Sequence, residues 1–149
     1  MKRQVRMTWA GGRRFTGIDS FGNDIITDIS KESGGQESGH SPAELLLFGL
    51  AGCTGVDVVS IMDKMRQPLE SLEVEIIAHN NEEHPKAFYN FEIKFIARGR
   101  GIDPERLARA IQLSEEKYCI VSHTFKSNAT VTTSYEILEP GLPPVRDRV

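Results

Sequence analysis

The segment Ser41–Gln67, SPAELLLFGLAGCTGVDVVSIMDKMRQ, constrains the fold more than any other part of the chain. Ser41 suits a helix N-cap and Pro42 the first helical position, while Glu44 follows Ser41 at the spacing of a capping box. Pro68 cannot continue a helix, which predicts an end near Arg66 or Gln67. Between these signals, Leu45, Leu46, Leu47, Phe48, Leu50, Val56, Val58, Val59, Ile61 and Met62 leave little polar surface. A helix so apolar around its circumference is expected to be buried. Its uncharged run Leu45–Val56 has twelve residues, short of the roughly 20 a bilayer needs, so the helix reads as the core of a soluble domain.

What surrounds this helix must be mostly strand. Val5, Met7 and Trp9 alternate with Gln4, Arg6 and Thr8, the period of a half-buried strand. Gly11 and Gly12 turn the chain, Arg13 to Asp19 reads as a second strand, and a third runs through Ile25, Ile26 and Ile29. The polar, glycine-rich stretch from Ser30 to His40 is expected to be a mobile loop, either a plain connector or a flap. Beyond Pro68, Leu72, Val74 and Ile76 mark one strand, and Phe91, Ile93, Phe95 and Ala97 a second, joined as a hairpin.

Asp103 and Pro104 then open a second helix, with Leu107, Ala110, Ile111, Ser114 and Tyr118 on one face and Glu115 and Glu116 off it. Val131, Thr133, Tyr135 and Ile137 mark a last strand. The order βββ-α-ββ-α-β is an α+β fold, with antiparallel sheets around the central helix. Residues 1–138 are assigned to one domain, which the chain's 149 residues and 26% charged content suit, and residues 139–149 to a flexible tail.

The net charge of -3 offers no basic surface for nucleic acid or an anionic membrane. The N-terminal MKRQVRMTW lacks the apolar run of a signal peptide, which predicts a cytoplasmic protein. In a reducing compartment, two cysteines are expected to act as thiols rather than as a structural disulfide.

Gly49, Gly52 and Gly55 recur at every third position of the central helix, each costing about 1 kcal/mol against alanine. Close approach of another backbone would offset that cost, from an equivalent helix in a second subunit or from a strand of the same chain. Cys53 lies among them, with little side-chain bulk around its sulfur. It sits about three turns from the helix N-terminus, out of the macrodipole's range, and Asp57 one turn on would oppose ionisation. A reactive Cys53 therefore needs a cation from elsewhere, and Arg13 and Arg14 are the candidates. Cys119, at the end of the second helix beside Glu115 and Glu116, has an anionic setting that suits a resolving thiol. His40, His79, His84 and His123 show no metal-ligand spacing with the cysteines, so no metal site is expected. Cys53 with His123 as base would make an acyl-transfer pair, though no third orienting group is evident.

SPAELLLFGLAGCTGVDVV, followed by EEKYCIVS with its cysteine 66 residues after the first and then by NATVTTSYE, resembles the OsmC/Ohr family of hydroperoxide-reducing proteins, in particular its OsmC-like branch. The resemblance spans roughly residues 1 to 138. It implies an intertwined homodimer with the central helices packed together, Cys53 as the peroxidatic and Cys119 as the resolving cysteine, and no metal or organic cofactor. An external dithiol would be the reductant. It also implies an early-strand arginine holding the thiolate, Arg13 by position or Arg14 next, oriented by a glutamate at the start of the helix. In the better-characterised members of the family that glutamate follows the proline; here Ala43 does, and Glu44 comes one residue later, about 100° around the helix. Ile120-Val121-Ser122 also stands where the peroxidase branches have Pro-Tyr-Ser. The other function class compatible with these residues is a non-enzymatic dimer that binds a small apolar ligand or senses redox state.

Overall fold

The computed structural model of the chain describes residues 2–149. It divides into two compact units, one ending at Phe48 and the other comprising Gly49–Val149.

The first unit is an antiparallel three-stranded meander of β1 (Arg6–Trp9), β2 (Phe15–Ile18) and β3 (Asp24–Thr27). Gly11 and Gly12, both with positive φ, make the first turn, as their pairing in the sequence indicates. The alternation of Val5, Met7 and Trp9 predicts a half-buried strand, yet all four residues of β1 are exposed. The meander presents apolar side chains that no part of its own unit covers.

The Ser30–His40 loop is braced rather than free. The Asp28 carboxylate accepts from the backbone N–H groups of Ile29, Gln36 and Ser38 and from the Ser38 hydroxyl. These bonds, the Ser38 hydroxyl first, hold its pKa down to about 2. A glycine-rich stretch is thus closed around one buried carboxylate that precedes it.

The helix α1 (Pro42–Lys64) begins in the first unit and runs on through the second. Its buried residues Leu50, Thr54, Val58, Ile61 and Met62 follow helical spacing, a stripe and not a full circumference. Val56 and Val59 stand exposed, because the second unit supplies packing for one side only. At 23 residues α1 also has the length and composition of a membrane span, which its twelve-residue uncharged run understates.

The second unit is built on a four-stranded sheet of β4 (Ser71–Asn80), β5 (Phe88–Arg98), β6 (Thr130–Leu138) and β7 (Val145–Arg148), in that spatial order. The predicted β4–β5 hairpin is present in antiparallel register. The β5–β6 pair is parallel, an exception among strands that otherwise pair antiparallel as expected. A parallel pair needs a crossover, and the helical segment between β5 and β6 provides it. The tail taken as flexible contains β7, antiparallel to β6, with Arg146 bonded to the buried Glu136. Phe91, Ile93, Phe95 and Ala97 are buried, as their alternation indicates.

Asp103 caps α2 (Pro104–Leu113) by accepting from the N–H groups of Glu105 and Arg106. The expected helix then departs from α geometry. Ser114–Tyr118 form a π turn, closed by Cys119 N–H donating to the Ser114 carbonyl at 2.9 Å. A short helix, α3 (Ile120–Phe125), follows.

Candidate functional site

The π turn decides which side chains reach the core. In a continuous α-helix Tyr118 would follow Ser114 on the buried face. The wider turn shifts the phase, so Tyr118 is half exposed and Cys119 is fully buried in its place. The same shift turns Glu115 inward, although its spacing assigns it to the solvent face. A buried carboxylate needs partners. Glu115 has them in the Ser122 hydroxyl at 2.6 Å and the Lys126 ammonium at 3.0 Å, and Lys126 also donates to the Glu115 carbonyl. One oxygen, Oε1, stays buried without a hydrogen bond.

Cys53 and Cys119 are both free thiols. The fold brings them together: their sulfurs and a carboxylate oxygen of Asp57 all lie within 4.8 Å of one another. Cys53 and Asp57 share a face of α1, four residues apart. Asp57 Oδ2 accepts from the Ser114 hydroxyl at 3.0 Å, and Ser114 is itself bonded to Thr54 at 3.0 Å. The Cys119 sulfur serves as the N-cap of α3, accepting from Ser122 N–H at 3.4 Å.

Burial first, and then the neighbouring Cys53 sulfur, push the Cys119 thiol up to about 12. The causes of this upward shift are burial and Cys53, not the anionic neighbours Glu115 and Glu116. The two sulfurs need to close to about 2.05 Å to form a disulfide.

Arg13, Arg14 and Glu44 belong to the first unit. Arg13 and Glu44 are exposed. Arg14 is half-buried, and its Nε is buried without a hydrogen-bond partner among the described residues. His123 is exposed, its ring nitrogen 3.0 Å from the Glu116 carbonyl, and it makes no hydrogen bond with Cys53 among the described residues. The sequence singles out the two thiols but gives no role to Ser114, Ser122, Glu115 or Lys126, and Glu115 turns inward only through the π turn.

A meander, a long helix bearing one thiol, and a second thiol on a crossover segment define the OsmC-type α+β fold with a paired-cysteine site. The OsmC-like protein family matches residues 34–134, and the chain belongs to that family. Protein YhfA of Escherichia coli K12 is 36% identical over 135 residues, covering 91% of this chain and 98% of YhfA. The crystal structure of a hypothetical protein from Aquifex aeolicus VF5 superposes with a TM-score of 0.82 at 30% identity, covering 93% and 98% of the two chains. An organic hydroperoxide resistance protein OsmC from Legionella pneumophila shares the fold with a TM-score of 0.66 at 18% identity, covering 91% and 98%.

Proposed function

We propose that this protein reduces hydroperoxides with the Cys53–Cys119 pair. The observation that carries the reading is the approach of two free thiols to within 4.8 Å in an OsmC-like fold. The Cys53 thiolate attacks the distal peroxide oxygen, the O–O bond breaks heterolytically, and the products are an alkoxide, protonated to the alcohol, and a Cys53 sulfenic acid. The Cys119 thiol then condenses with that sulfenic acid, releasing water and forming the disulfide. An external dithiol returns both cysteines to thiols by exchange and is itself oxidised. Because Cys119 is held protonated at neutral pH, it suits the second step and not the first.

The cation for the Cys53 thiolate comes from the first unit in this reading, from Arg13 or Arg14. Arg14 is the stronger candidate, since a half-buried guanidinium with an unpartnered Nε has bonding capacity that the exposed Arg13 does not need to fill. Glu44, exposed on the first turn of α1, acts at most by orienting that arginine.

The working form is a homodimer. A Cβ built on Gly49 or Gly52 meets nothing within 4 Å, whereas one on Gly55 meets Val74 at 3.4 Å. That is an ordinary contact, so packing among the described residues requires none of the three to be glycine, and a second copy of α1 is the partner that the open positions beside exposed Val56 and Val59 suit.

Treatment of the reduced protein with excess cumene hydroperoxide, followed by a free-thiol count, tests the reading. Two thiols per chain are expected to disappear, and none from Cys53→Ser. Survival of both thiols in the unsubstituted protein would overturn it.

A further inference from the structure

The same side chains compose a donor set for a thiophilic divalent cation. We propose that Cys53, Asp57 and Cys119 of the reduced protein form a zinc site with one coordination position open to an exogenous ligand. Zinc binds thiolate at about 2.3 Å and carboxylate oxygen at about 2.0 Å, which puts tetrahedral ligands about 3.5 to 3.8 Å apart. The three donor atoms lie within 4.8 Å of one another before any ion is bound, so side-chain adjustments of about 1 Å complete the geometry. Two soft sulfurs beside one carboxylate favour zinc over magnesium or calcium, which take oxygen ligands.

The outer contacts are those that a coordinated ligand set uses. Asp57 Oδ2 is held by the Ser114 hydroxyl, and Ser114 is braced in turn by Thr54. The other Asp57 oxygen takes no hydrogen bond among the described residues and is available to the ion. Ser122 N–H donates to the Cys119 sulfur, a bond that stabilises a thiolate there. Such supporting bonds fix ligand orientation, and their loss costs about 10- to 100-fold in metal affinity. The ligands come from α1 and from the end of a π turn, so no short motif announces them. Binding releases the thiol protons to solvent as zinc replaces them, without oxidation of either sulfur.

The test uses reduced, full-length protein titrated with cadmium chloride, and with zinc chloride against a chromophoric chelator. One cadmium per chain is expected, with a thiolate-to-cadmium charge-transfer band in the ultraviolet, and zinc should displace it. Cys53→Ser and Cys119→Ser should each reduce the band and weaken binding by more than about tenfold, and Asp57→Asn and Ser114→Ala by about tenfold or more. Wild-type protein oxidised to the disulfide with diamide should bind no cadmium and recover after reduction, a control that needs no substitution. Binding without the band, or unchanged affinity in Asp57→Asn, would overturn the site. This inference does not rest on peroxide chemistry. A protein that binds cadmium but ignores cumene hydroperoxide, or the reverse, separates the two readings.

Discussion

Ser122 Oγ donates to Glu115 Oε2 at 2.6 Å, tying the first turn of α3 to the π turn on the other side of Cys119. The bond fixes the segment on which the second thiol rides. Removing it leaves a buried carboxylate with Lys126 as its one remaining side-chain partner. Ser122→Ala is expected to destabilise the protein by about 1.5–3 kcal/mol, the range for hydrogen bonds to charged groups. Urea denaturation of the reduced protein measures this, and an unchanged midpoint would show that the bond has no structural weight.

The Cys119 thiol predicts an alkaline loss of stability. Its folded pKa, about 12, lies above the reference 9.0, so the folded state retains a proton that the unfolded chain releases. The stabilisation is full below about 9 and is lost as pH rises toward 12. The reduced protein should therefore lose stability between pH 8 and 11 more steeply than Cys119→Ala. Urea midpoints across that range give the comparison, and parallel curves would contradict it.

For Asp28 the sign reverses. Its pKa is lowered from 3.8 to about 2, so its contribution is present above 3.8 and disappears as pH falls through about 2. Asp28→Asn should raise the amide exchange rates of Gln36 and Ser38, whose N–H groups it accepts, while leaving those of β5 unchanged. Unaltered exchange at Gln36 and Ser38 would mean that the loop is held by something else.

The two arginines give a directional test of thiolate activation. Arg14→Gln should slow peroxide-dependent loss of the Cys53 thiol by about 10- to 100-fold, on the order of 1.4–2.7 kcal/mol of barrier, with a smaller effect for Arg13→Gln. Timed quenching and alkylation of the residual thiol follow the reaction. The opposite ranking would return the role to Arg13.

What could be read from the sequence was local. The apolar helix, observed as Pro42–Lys64, the meander around Gly11-Gly12, the β4–β5 hairpin and the Asp103 cap each depend on neighbouring residues, and each is present. The parallel β5–β6 pairing was hidden because strand alternation does not encode direction. The π turn was hidden because moving the helical phase by one residue exchanges Tyr118 for Cys119, and either can occupy a core position. Glu115 read as a surface charge because its partners, Ser122 and Lys126, come from the segment that starts after the turn. Cys53 and Cys119 were recognised as a pair through the family resemblance, whereas their separation is a property of the fold.

The most direct measurement of the proposed chemistry is intact-mass analysis of Cys119→Ser after one equivalent of cumene hydroperoxide in the presence of dimedone. With the resolving thiol removed, the sulfenic acid should persist on Cys53 and carry one dimedone adduct per chain, and Cys53→Ser should carry none. Absence of an adduct in Cys119→Ser, or an adduct on Cys119 in Cys53→Ser, would contradict the assignment of Cys53 as the residue that meets the peroxide.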